Sequence, residues 1–289
     1  MFGLAEGTCG VAVRAGDISY VGDAVFLVFA PAQDIVFKLR SVASIAHSCF
    51  RRFGLVLNYK RGEALIQWAG QGMALARLEL VGVLNSQIAF VSCGCEVVLQ
   101  VARYYKHLGT RTAASGHMGP EVSATSTTSK QVVSSMRRRI FANEAVPVEK
   151  RLQYGRMLVL SKGLFQAGTW PRLSSAQETK VHHAYMGLLC AVSGDTANVV
   201  SLQHASDAVV ISKLDTLAPL VCLRLLRALA FARVVCHAPP VLLQWLSLEA
   251  KLPHGWLAVT FVGLTWIATV SVTLAALRGA SLAQWASIC

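Results

Sequence analysis

The chain has 289 residues, enough for one large domain or two to three small ones with a well-buried core. Lys and Arg outnumber Asp and Glu by 27 to 15, a formal net charge of +12. The eight cysteines include no CxxC pair and no histidine stands at metal spacing, which excludes a zinc knuckle and fits buried or free thiols in a reducing, intracellular compartment, nucleus or cytoplasm.

Residues 1–16 lack the apolar core and basic flank of a signal peptide. Residues 17–29 (DISYVGDAVFLVF) read as two short β runs meeting at Val21-Gly22-Asp23, a turn suited to a tight hairpin. Pro31 ends the second run, and Asp34 is placed to cap a helix whose apolar stripe is Ile35, Leu39, Val42, Ala46, Phe50 and Phe53. Gly54 stops that helix, and its other face carries Lys38, Arg40, His47 and Arg51. Residues 55–57 and 64–66 read as short strands around a basic turn. Further β-like runs fall at 78–83 and 97–101, and residues 104–110 close this half. Residues 123–129 (SATSTTS) read as a loop or a weak first turn. Helical stripes follow: Val132, Val133, Met136, Ile140 and Phe141, then Leu152, Met157, Leu160 and Leu164 up to about Gly168, then a helix from about 177 to 192. Beyond Asp195 the chain reads as mostly helical, punctuated by Pro219, Pro239-Pro240 and Pro253. The expected fold class is α+β, with divisions at 1–110, 111–192 and 193–289.

The order of the pieces carries more than any one of them. Tyr20-Val21-Gly22-Asp23 stands at a hairpin tip. Gly54-Leu55-Val56-Leu57-Asn58-Tyr59-Lys60 follows the amphipathic helix, Tyr105 to Gly109 forms a further hairpin, and Phe165 to Trp170 follows the basic helices. In this order, over roughly residues 16–192, they resemble the later palm motifs and thumb of reverse transcriptases (RNA-directed DNA polymerases) of non-LTR, LINE-like retrotransposons. The resemblance implies a partial palm over 1–110, built of a β-hairpin, a helix and strands. It implies a helical thumb over 111–192, a helical C-terminal region over 193–289, and an RNA or DNA template–primer duplex as partner. Tyr105, Lys106 and His107 would lie at the hairpin that grips the primer. Lys60 would stand where the family donates a proton to pyrophosphate, although a solvated turn lysine explains it equally well.

Nucleotidyl transfer needs carboxylates converging on Mg²⁺. The resemblance implies Mg²⁺, yet Gly22 stands where the family has the first Asp of its Tyr-x-Asp-Asp turn, and an Asp on an earlier strand is also expected and not found. Asp23 remains, either as a residual, incomplete metal ligand or as a turn aspartate bonded to its own backbone. The expectation is a truncated, catalytically inactive polymerase relative that does not hold Mg²⁺ stably, with an open sheet and exposed apolar side chains.

Between Val101 and Lys180 stand thirteen basic residues and four acids, so this stretch supplies +9 of the net charge. Such a block suits a polyanion. Arg137, Arg138 and Arg139 lie on the implied thumb and could contact duplex phosphates, or form a solvated face. The phosphate-cradling, HExxH and GxSxG signatures are absent, and adjacent His182 and His183 do not face one way on a helix. Residues 255–277 carry no formal charge and are long enough to span a bilayer, bracketed by Lys251 and Arg278, with threonines at 260, 265, 269 and 273 against that reading. A single-span membrane protein with vestigial polymerase motifs is therefore the alternative, and a buried soluble helix the competing account of this segment.

Overall fold

The computed structural model describes residues 17–20, 23–26, 28–59, 62–68, 71–84, 86–92, 94–107, 110–113, 115–194, 206–238, 242, 246, 255–280, 284 and 285. The chain is α+β and divides into two compact units, residues 1–106 with 113–116, and residues 107–112 with 117–289.

The first unit begins with an antiparallel hairpin of β1 (Asp17–Tyr20) and β2 (Asp23–Phe26), in which Tyr20 is opposite Asp23 across a two-residue connection. A 3₁₀ turn, Ala32–Asp34, leads into α1 (Ile35–Arg52). Asp34 does not cap α1 as expected. The preceding turn already holds its backbone in the helical region, and its side chain accepts no cap bond. The other end follows the sequence reading. Gly54 takes a positive φ of 73°, its N–H donates to Arg51 O, and the Leu55 N–H donates to Phe50 O, a Schellman closure.

The sheet has the order β3-β5-β4: β3 (Glu63–Leu65) runs parallel and β4 (Gln87–Ser92) antiparallel to the central β5 (Cys95–Ala102). α1 packs on β4, which buries Ile88, Phe90 and Ser92 in strict alternation; the Ser92 hydroxyl donates to Ser44 O at 3.3 Å. Ile35, Ile66, Leu80 and Ile88 form the core.

Two expected strands are not strands. Residues 78–83 end a short helix, α2 (Met73–Leu78), and form a π-helical turn, Glu79–Val83, closed by Leu84 N–H to Glu79 O at 3.0 Å. The inward positions are Ala76 and Leu80, four apart, while Leu75, Leu78 and Val81 are exposed; a strand would have turned Gly82 inward beside Leu78 and Leu80. Residues 55–57 join no ladder, and Val56 is 93% exposed. Phe29, Phe37, Phe53, Leu55 and Leu75 in this unit are exposed as well.

The hairpin of β6 (Tyr104–His107) and β7 (Thr110–Ala113) precedes the helices. In the second unit α3 (Gly119–Met136) lies along α6 (Ser175–Ser193). Residues 123–129 are thus helix, in place of the expected loop or weak turn. The small side chains of Thr125, Ser126 and Ser129 are buried at helical spacing with Val122 and let the backbones approach. The Thr125 and Thr128 hydroxyls bond back to Glu121 O and Ala124 O, which satisfies them without breaking the helix. α4 (Val148–Gly155) continues through a π-helical turn, Arg156–Leu160, into α5 (Ser161–Gly163), where a Cβ on Gly163 would collide with the Ser129 hydroxyl. α6 starts in a capping box of Ser174 and Gln177 and stops at Gly194, φ 78°.

α7 (Asp207–Lys213), α8 (Pro219–His237) and α9 (Trp256–Val270) complete the unit. Val210 and Leu214 join the cluster of Phe141, Leu188 and Leu189, while Leu223 joins Val122, Trp170 and Val181. Residues on both sides of position 193 therefore share one core. The 3₁₀ turn Ala167–Thr169 is a close junction in it. Gly168 O accepts from Trp256 Nε1 at 2.6 Å, and Arg227 donates to Trp170 O and Pro171 O, each at 3.2 Å.

The apolar C-terminal segment is shorter as a helix than 255–277. α9 has 15 residues, about 22 Å at 1.5 Å per residue, against a hydrocarbon core of about 30 Å. Among the described residues, no helix is long and apolar enough to cross a membrane. Arg278 folds back to donate to Ala268 O and Thr269 O at 3.1 Å, and Thr260, Thr265 and Thr269 bond to carbonyls one turn earlier. Leu257, Leu264 and Ala268 pack against Phe231 and Trp285.

Candidate nucleic-acid interface

The polymerase-type positions are only partly in view. Asp23 opens β2; Gly22, Lys60 and Gly109 lie outside the described residues. In the hairpin register Asp23 is paired with Tyr20 and Asp17 with Phe26. Among the described residues no group of three or more His, Cys, Asp or Glu could hold a metal.

Tyr59, next to the implied general acid, is a packing residue. Its ring stacks on His47 at 5.5 Å and meets Phe90 edge-on at 5.7 Å, and its hydroxyl lies 3.0 Å from His47 Nδ1. Burial raises its pKa. In β6, Tyr105 is half-buried and Lys106 exposed, and His107 ends the strand.

The basic residues of the helical unit are better placed for binding. Arg137, Arg138 and Arg139 occupy a π-helical turn (Arg137–Phe141) that continues α3, and all three are exposed. A helix closed by i→i+5 bonds holds more residues per turn, so consecutive side chains fan over a narrower arc than in an α-helix, and three in a row can face solvent together. Phe141, fully buried, anchors the turn from behind. Lys130, Lys150, Arg156 and Lys162 are exposed elsewhere on the unit. Among the described residues none of the three arginines forms an ion pair; the nearby Glu144 and Glu149 are exposed and likewise unpaired. Glu121, which would oppose the positive surface, is withdrawn. It is 1% exposed, and its Oε2 accepts the Arg111 N–H at 2.7 Å. This surface can neutralise phosphates through guanidinium and ammonium donors.

Three residues with structural roles gave little sign in the sequence. Arg151, counted in the basic block, is buried, and its Nη1 donates to Phe141 O at 3.2 Å. Asn143 donates its side-chain amide to Arg139 O. Arg227 is buried against the 170–171 carbonyls, and burial lowers its pKa while Glu178 opposes the shift. A buried arginine has no sequence pattern of its own; its bond to the Phe141 or Trp170 carbonyl marks it in the structure.

No family model matches the chain, and neither the curated proteins nor the solved structures compared with it give a match.

Proposed function

We propose that this protein is a nucleic-acid-binding relative of LINE-like reverse transcriptases that contacts duplex RNA or DNA backbone through its helical unit and does not polymerise. The observation that carries the binding half is the exposed arginine triplet on its π-helical turn, without an ion-pair partner among the described residues. The order of hairpin, amphipathic helix, Asn-Tyr-Lys segment, second hairpin and basic helices supports the family half. Gly22 in the Tyr-x-Asp-Asp position supports the absence of activity.

Binding should be weak, sequence-independent and steeply salt-dependent, since phosphates and not base edges are engaged. Fluorescence anisotropy with labelled 20-base-pair duplexes across a salt series tests it. Changing Arg137, Arg138 and Arg139 together to Gln should reduce the slope of log K against log salt by up to about 2.7, at about 0.9 per phosphate. An unchanged slope, or equal loss on changing Lys150 and Arg156 instead, would replace a defined surface with diffuse charge. No binding at low salt would end the proposal.

A further inference from the structure

The carbonyls at the end of the arginine turn are accounted for almost one by one. Arg137 O accepts the Ala142 N–H at 2.7 Å, Arg139 O the Asn143 side-chain amide at 3.3 Å, and Ile140 O the Asn143 N–H at 3.3 Å. Phe141 O is taken by Arg151, which reaches back from α4. The last carbonyls of a helix must find donors from outside its own ladder. The choice of residue is nevertheless unusual. Arg151 is 8% exposed, its Nε has no partner, and no carboxylate pairs with it among the described residues. Burying a guanidinium without a counter-charge is unfavourable, and a Met or Leu would fill the same space at less cost. What an apolar side chain cannot supply is the hold on Phe141 O.

Resting on the nucleic-acid reading above, we propose that Arg151 is a positioning residue: it never meets the nucleic acid, and it fixes the π-helical turn so that Arg137, Arg138 and Arg139 are preorganised for neighbouring phosphates. Preorganised side chains lose less conformational freedom on binding, so loosening the turn weakens binding with all three charges still present.

The test uses the full chain with Arg151→Met, Arg151→Lys, the triple Arg-to-Gln variant, and Arg151→Met combined with the triple. Amide exchange at Ala142 reports closure of the turn, and duplex anisotropy across salt reports binding. Arg151→Met should speed Ala142 exchange about tenfold, the loss of one buried hydrogen bond, and weaken duplex binding by a similar factor or less. Arg151→Lys, which keeps a donor, should lie between it and the wild type. In the triple background Arg151→Met should cost no further binding, since it acts through the groups already removed. Unchanged Ala142 protection in Arg151→Met, or an equal loss of binding in both backgrounds, would overturn the inference. Should Arg151→Met lose its helical signal, Arg151→Lys decides: exchange and binding both at wild-type levels would overturn it as well. If the triple variant alone leaves binding unchanged, the arginine turn is not the binding surface and that part of the reading above has failed, and Ala142 exchange still separates that outcome from a failure of Arg151 to hold the turn.

Discussion

Gly168→Ala should destabilise the helical unit although it adds only a methyl group. A Cβ at residue 168 would lie 2.6 Å from Leu226 O and 3.0 Å from Ala230 Cβ, so the first clash is with the backbone of α8 and no side-chain rotation relieves it. Relief requires the 167–169 turn and α8 to separate. That separation stretches the 2.6 Å bond from Trp256 to Gly168 O and the 3.2 Å bonds from Arg227 to Trp170 O and Pro171 O. Overpacking costs about 1–3 kcal/mol and a weakened hydrogen bond about 1 kcal/mol, so a total of about 2–4 kcal/mol is expected. For a unit of this size each kcal/mol moves the melting midpoint by about 2–4 °C, giving a fall of roughly 4–16 °C by circular dichroism. Gly187→Ala is the matched control. Gly187 is exposed on α6 with nothing within 4 Å of an added Cβ, so the same substitution should stabilise by about 0.5–1 kcal/mol through helix propensity. If the two variants shift in the same direction, or Gly168→Ala lies within about 0.5 kcal/mol of wild type, the close approach at this turn is not what holds α8 in place.

Stability should fall at alkaline pH, because burial raises the pKa of both Tyr185 and Cys222. The folded chain keeps these protons longer than the unfolded chain, so their contribution is complete below the unfolded values, about 8.5 and 10, and is lost as pH rises through the higher folded ones. Urea midpoints measured between pH 7 and 11 should show the decline, and Tyr185→Phe should flatten its upper part; a wild-type midpoint constant to pH 11 contradicts this. With Mg²⁺, nucleotides and a primed template, the chain should extend no primer, and Gly22→Asp should not rescue it, because a carboxylate added beside Asp23 comes from the same turn while two-metal transfer needs another from a neighbouring strand. Mg²⁺-dependent extension above background by the wild type would refute the inactive reading.

Elements whose patterning came from one strong period were legible in the sequence. The β1–β2 hairpin, α1 with its glycine stop, and α6 all match the expected type. The misses share a physical cause, which is that composition and burial disagreed. Residues 123–129 look like a loop because Ser and Thr are poor helix formers, yet their small size is what lets α3 approach α6 and α5. The run at 78–83 is apolar apart from Glu79 and Gly82, so period alone could not separate strand from helix; among its described side chains, Leu80 is the one that turns fully inward. β4 hid for the opposite reason: Ala89 and Val91, on its exposed face, are as apolar as Ile88 and Phe90 on its buried one.

The segments that suggested the resemblance and the arginine turn on the implied thumb fall into two physical classes, and only one of them bears on binding. Tyr59 is committed to His47 and Phe90, while Gly168 and Trp170 are committed to α8 and α9. Packing alone accounts for these positions. Lys106 and Arg137 to Arg139 are exposed, and packing does not require their charge. Their charge fits the proposed contact with phosphates and equally an ordinary solvated face, so binding must be measured. The two classes should separate in experiment. Gly168→Ala should lower stability and leave the salt slope of the folded protein unchanged, whereas neutralising the arginine triplet should change the slope and leave the melting midpoint nearly unchanged. A triplet variant that lost stability along with binding would place those arginines in the scaffold after all, and the resemblance would then speak only to fold.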